Sequence, residues 1–174
     1  MKRLLLVRHA KASPGSALIP DRDRALSRRG ASDAEALGAW LAASEVRPEL
    51  VLCSSARRAR ETWERLRPSL PDDPAVWLDD ALYLAPANAL LEHLRRVDDA
   101  VRAVLLVAHN PGLGDLASGL AGSGDAEAYA RLRAGFPSGA VADLVAPRCW
   151  RDLGPGSCEL RAFVGPERAS VPAG

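Results

Sequence analysis

Three histidines occur in the 174-residue chain, and two of them close apolar runs. "LLLVRHAKA" (residues 4–12) ends in Arg8 and His9, and "VLLVAHNPG" (residues 104–112) ends in His109 and Asn110. A third run, "ELVLCS", opens into "SSARRARET" with Ser54, Ser55, Arg57 and Arg58. Planar guanidinium forks match phosphate oxygens in bidentate fashion. A neutral histidine nitrogen set among them can attack phosphorus and form a phosphoenzyme. Phosphoryl transfer needs mainly positioning and charge neutralisation, so cations at these junctions can do that work. The attacking ring must be neutral, with its other nitrogen pinned by an acceptor. The sequence shows neither a carboxylate cluster nor metal-ligand spacing, so neither a metal nor another cofactor is expected.

Bringing these residues together is the task of the elements around them. "RLLLVR", "ELVLCS" and "AVLLVAH" are continuous apolar runs, as expected of parallel strands covered by helices on both faces. "AVWLDDALY" is a shorter strand-like piece. Helices are expected over "ASDAEALGAWLAAS", with Ala34, Leu37 and Leu41 inward, and "ARRARETWERLR", with Ala59, Trp63 and Leu66 inward. "NALLEHLRRV" and "PGLGDLASGLAG" follow, the latter with Pro111 in its first turn. Ser27 or Ser32 can cap the first helix, and Ser32 with Glu35 has capping-box spacing. Pro68 stops the second. "GAVADLVA" and "CELRAFV" read as an antiparallel pair turning at "DLGPGS". The order βαβαβαβα plus a hairpin gives an α/β class, a three-layer α/β/α sandwich with a mainly parallel sheet and an antiparallel element near the C-terminus. One domain over residues 1–174 is expected, with residues 165–174 as a flexible tail. In such a sheet ligands bind outside the carboxyl ends of the strands. Two histidines and at least two arginines then share one pocket, if those ends lie side by side.

The bulk numbers exclude several classes. A net charge of +1 gives no field for nucleic acid or membrane. The apolar run after "MKR" is too short for a signal peptide and is broken by Arg8, so a cytoplasmic protein is expected. With 5% aromatic residues the core should be aliphatic, with Trp40, Trp63 and Trp77 as its bulky pieces. Cys53, Cys149 and Cys158 read as reduced thiols, with Cys53 buried in a strand. A Cys149–Cys158 bridge is the minor alternative.

These motifs resemble a family. "RHA" at the end of the first strand is similar to the RHG signature of the histidine phosphatase superfamily. "RALSRRG" (residues 24–30) resembles its L-[ST]-x-x-G helix start, "SSARRARET" its R-A-x-x-T motif, and "VAHNPGL" its second-histidine strand. The wording RHAK, SSARRA and HNPG, with the short chain, most resembles SixA-type phosphohistidine phosphatases. The resemblance implies a mutase-like fold and a phosphatase with His9 as nucleophile. It implies that Arg8, Arg58 and His109 hold the phosphoryl oxygens, with Asn110 adding a contact, and it needs no cofactor. It puts Arg58, not Arg57, at the phosphate. Two positions depart from the wider pattern. Ala10 stands where the superfamily has glycine, and Leu84 stands where the mutase branch keeps a glutamate acid.

Residues outside these motifs have plainer readings. His93 reads as a solvated helix residue, Arg57, Arg60, Arg65 and Arg67 as a wet helix face, Ser54 as a helix cap, and Asp21 and Asp23 as loop charges. The expected function is removal of phosphate from phosphohistidine in a partner protein, by a monomer that binds neither nucleic acid nor membrane. The alternatives are a phosphatase or mutase of small phosphate esters, and a non-catalytic phosphate or nucleic-acid binding module. Glu61 and Glu64, interspersed among the arginines, oppose the last.

Overall fold

The computed structural model describes residues 1–169. Strands β1 (Lys2–Arg8), β2 (Leu50–Ser54), β3 (Ala75–Asp79) and β4 (Ala103–Ala108) alternate with helices α1 (Arg28–Ala43), α2 (Arg57–Leu66) and α3 (Ala87–Arg95). Helix α4 (Gly112–Leu120), strand β5 (Ala121–Gly124) and helix α5 (Ala126–Ala134) follow. Strands β6 (Val141–Ala146) and β7 (Cys158–Val164) and the short α6 (Pro166–Ala169) complete the described chain. The sheet has seven strands in the order β3-β2-β4-β1-β6-β7-β5. β1, β2, β3 and β4 pair in parallel, whereas β6 runs antiparallel to both β1 and β7. This is the expected α/β sandwich with an antiparallel element near its C-terminal end.

The unbroken hydrophobicity of β1 has a direct cause. Leu4 and Leu6 pack into the core under α3, α4 and α5, while Leu5 and Val7 pack with Leu37, Leu41, Trp63 and Leu66 on the opposite face. Both faces are covered, so no polar alternation is needed. The register then places the chemistry. Arg8 pairs with Ala108, so the next residues, His9 and His109, emerge side by side at the carboxyl edge.

Ser27, not Ser32, caps α1, accepting the Gly30 N–H at 3.0 Å. A Cβ on Gly30 would lie 2.1 Å from the Lys11 carbonyl oxygen, which explains the glycine closing "RALSRRG".

Four expectations change. β5 and α5 are additions to the expected elements, because "AGSG" carries no apolar alternation and α5 buries only Ala128 and Leu132. Trp77 is 58% exposed, because β3 is an edge strand. The fully buried tryptophan is Trp150, whose indole N–H donates to the Val101 carbonyl at 2.9 Å. Of the expected tail, residues 166–169 form α6 with Ala169 buried, and residues 170–174 lie outside the described residues.

Candidate active site

His9 and His109 are both buried, with ring centroids 4.9 Å apart. His9 Nδ1 lies 2.8 Å from the Ala10 carbonyl oxygen. A carbonyl can only accept, so the ring proton sits on Nδ1 and the lone pair is on Nε2. That nitrogen accepts from Arg58 Nε at 3.2 Å. Ala10 is outside the left-handed region, so its methyl group costs nothing where the wider family keeps glycine. Its N–H donates to Thr62 Oγ1 at 3.0 Å, and that hydroxyl donates to the Arg58 carbonyl at 2.6 Å. Thr62, last residue of the R-A-x-x-T stretch, therefore ties the His9 segment to the helix turn that carries Arg58.

His109 takes the same Nδ1–H tautomer, but it is its N–H and not its lone pair that is left unpartnered. Ser54 Oγ accepts the Ala56 N–H at 3.3 Å and lies 2.7 Å from His109 Nε2. The Ser54 proton has no other acceptor among the described residues, so it is assigned to Nε2 and the His109 proton to Nδ1. His109 Nδ1 and Arg8 Nε are buried and have no hydrogen-bond partner among the described residues. Two orphaned buried donors on adjacent strand ends suit an anion that accepts from both.

Arg58 is 4% exposed, while Arg57 is turned outward to Glu61, at 2.7 Å. Arg58 Nη1 donates to the Asp21 carbonyl at 2.6 Å and Nη2 to the Asp21 carboxylate at 2.9 Å. Arg8 Nη1 donates to the Phe136 carbonyl at 2.7 Å. Asn110 donates to that same carbonyl at 2.9 Å and accepts from Gly114 N at 3.2 Å, so both ends of its amide are engaged within the protein.

Burial pushes His9 down to about 4, helped by Arg58, Arg8 and Arg24 and opposed by the Ala10 carbonyl. Burial, His9 and Arg58 push His109 down to about 3. Both rings are neutral near pH 7, one offering a lone pair and the other an N–H.

Three further residues belong here although the sequence reading passed over them or gave them another role. Asp21 reads as a loop charge in sequence, yet it accepts from Arg58, from Arg24 Nη1 at 2.9 Å and from Tyr83 Oη at 2.6 Å. The Tyr83 ring stands edge-on to His109 at 5.4 Å. Ser54 is not the cap of α2: the N-cap is Ala56, with no side-chain cap bond, and the Ser54 hydroxyl engages His109 Nε2 instead. One signal was available for Asp21: it follows the carboxyl end of β1, where such sheets bind ligands. His93 lies away from these residues, bonded to the Ala89 carbonyl at 2.8 Å and paired with Asp79 at 3.2 Å. Leu84 is 52% exposed, with φ of 51°. No group of side chains among the described residues could hold a metal ion.

A doubly covered α/β sheet with a lone-pair histidine, a donor histidine and two arginines at its carboxyl edge defines a phosphoryl-handling enzyme. Residues 4–83 match the family model of the histidine phosphatase superfamily, branch 1. A Mycobacterium tuberculosis protein of uncharacterized function is 38% identical over 162 residues, covering 92% of this chain and 99% of the relative. The Nakamurella multipartitia structure assigned as phosphohistidine phosphatase SixA superposes with a TM-score of 0.83 at 29% identity, covering 95% and 96% of the two chains. Its Agrobacterium tumefaciens counterpart gives 0.81 at 27% identity, covering 94% and 97%. The chain belongs to the histidine phosphatase superfamily. Within it the protein is a phosphatase of the SixA type.

Proposed function

We propose that the protein removes phosphate from phosphohistidine in another protein, through a phosphoryl group carried on His9 Nε2. Arg8 Nε, Arg58 and the His109 Nδ1–H hold the phosphoryl oxygens, and Asn110 steadies the Phe136 carbonyl to which Arg8 is bonded. The Ala10 carbonyl keeps the His9 proton on Nδ1 while Nε2 attacks, and water then cleaves the phosphohistidine intermediate.

The observation that carries the substrate assignment is the lack of a proton donor among the described carboxyl groups at the mouth. Tyr83, Arg24 and Arg58 hold the Asp21 carboxyl well below the usual carboxylate range, so it stays ionised. Asp79 is paired with His93, Asp80 with Arg22 and Glu92 with Arg95. The family's acid position is Leu84. An alkoxide leaves poorly without a proton, whereas an imidazole already protonated at its far nitrogen leaves as a neutral ring. The connection from β3 to β4 spans only residues 80–102, α3 included, and leaves room for a side chain presented by a protein. The SixA assignments of the two bacterial structures support the same reading. Three free cysteines support a reducing, cytoplasmic setting. No helix among the described residues is long and apolar enough to cross a membrane.

The test is phosphate release from a phosphohistidine protein, nitrophenyl phosphate, a sugar phosphate and a phosphoglycerate. The order of kcat/KM expected is phosphohistidine, then aryl, then alkyl esters. Efficient turnover of a sugar phosphate with no action on phosphohistidine would overturn the assignment.

A further inference from the structure

The phosphoryl chemistry leaves the Asp21 carboxylate unused, although it stands at the mouth of the site. Its Oδ2 accepts from Arg58 Nη2 at 2.9 Å and Tyr83 Oη at 2.6 Å, and its Oδ1 accepts from Arg24 Nη1 at 2.9 Å. A carboxylate offers about four acceptor sites, so one remains, on Oδ1. The side chain is 48% exposed, so that site is within reach of a ligand. A single guanidinium joins this carboxylate to the nucleophile, since Arg58 Nε lies 3.2 Å from His9 Nε2. An in-line transfer puts the leaving group on the far side of phosphorus from His9.

We propose that Asp21 is the specificity-determining residue for the leaving group, its carboxylate accepting a hydrogen bond from the far N–H of the phosphorylated imidazole. This rests on the phosphohistidine reading above and adds what selects the ring. The step balances without an external acid. The lone pair of His9 Nε2 forms the new bond to phosphorus. The bond from phosphorus to the substrate nitrogen breaks, and its electron pair stays on that nitrogen. The substrate ring began as a cation with an N–H at its far nitrogen and departs neutral with that N–H in place. His9 began neutral with its proton on Nδ1 and becomes the cationic phosphorylated ring, its N–H still on the Ala10 carbonyl. Each ring thus keeps its proton, one held by Ala10 and the other by Asp21. The anion also favours the protonated substrate ring, the form that leaves well. Tyr83 and Arg24 orient the carboxylate and leave one acceptor site open.

The probes are N-phosphoimidazole, its analogue with a methyl group in place of the far N–H, and nitrophenyl phosphate. Each kcat/KM is divided by the uncatalysed hydrolysis rate of the same compound. The wild type is expected to favour N-phosphoimidazole over the methylated analogue by about tenfold to a hundredfold, the range of a hydrogen bond to a charged group. In Asp21→Ala that preference should collapse toward unity. Nitrophenyl phosphate reports separately on any loosening of Arg58 in the variant. Equal efficiency of the wild type on the two imidazole compounds would overturn the role of Asp21 and leave the phosphohistidine reading standing. This arm needs no variant to fold. Good turnover of nitrophenyl phosphate with none of N-phosphoimidazole or a phosphohistidine protein would overturn both.

Discussion

Replacing Arg58 with lysine separates the shape of the cation from its charge. Arg58 is 4% exposed and makes three directed bonds, to His9 Nε2, the Asp21 carbonyl and the Asp21 carboxylate. A lysine ammonium keeps the charge but has no fork, so it cannot face His9 and Asp21 together. At least one donor aimed at the transferring phosphoryl group is lost or misdirected. Removing one preorganised donor at a developing anion costs about 10²–10³ in rate, or roughly 3–4 kcal/mol. Arg58→Lys should therefore lower kcat/KM for nitrophenyl phosphate by about that factor. Arg57→Ala is the control one residue away. That side chain is half exposed and, among the described residues, pairs with Glu61 on its own helix, an interaction worth about 0.3–0.5 kcal/mol. Its kcat/KM should stay within about twofold of wild type. The assay is steady-state release of nitrophenol, with circular dichroism to check folding. A larger loss in Arg57→Ala than in Arg58→Lys would refute the assignment of the phosphate arginine.

Three further outcomes are expected. Ser54→Ala removes the hydroxyl that holds the His109 proton on Nδ1, and kcat/KM should fall about tenfold, the value of one hydrogen bond; an unchanged rate would show that the tautomer is held otherwise. NMR titration of the free protein should find His9 neutral until the pH nears 4, well below the ordinary 6.5. Because unfolded histidines bind protons first, stability is full above pH ~6.5 and declines on acidification by roughly 1.4 kcal/mol per pH unit for each buried ring. Denaturant midpoints that do not change between pH 7 and 5 would contradict the burial of both neutral rings. Leu84→Glu places a carboxyl at the exposed family acid position, and its rate on an alkyl phosphate should rise about tenfold or more; a rate that stays flat while the fold is intact would show that position 84 is out of reach of the leaving group.

The sequence carried the parts of this molecule that depend on regular spacing. Apolar runs ending in His9, Ser54 and His109 marked the three strands, because burial on both faces forces continuous hydrophobicity. The helical stripes Ala34–Leu37–Leu41 and Ala59–Trp63–Leu66 are buried as read. What stayed hidden depends on tertiary contact. Asp21 lies in a polar loop where nothing local distinguishes it from Asp23, and only the approach of Arg58 and Tyr83 gives it a place. Tyr83 follows an edge strand whose apolar residues face solvent, so its neighbourhood pointed to no core. Trp150 sits in a polar stretch between β6 and β7, and its burial depends on Val101 and Lys2, residues remote in the chain.

The most direct measurement is rapid-quench trapping of the phosphoenzyme from a phosphohistidine protein, followed by mass spectrometry under alkaline conditions. The account predicts a base-stable, acid-labile phosphoryl group on His9 alone, formed and lost at rates that match turnover, and absent from His9→Ala. A phosphoryl group on His109 or His93, or turnover at the wild-type rate by His9→Ala, would contradict it.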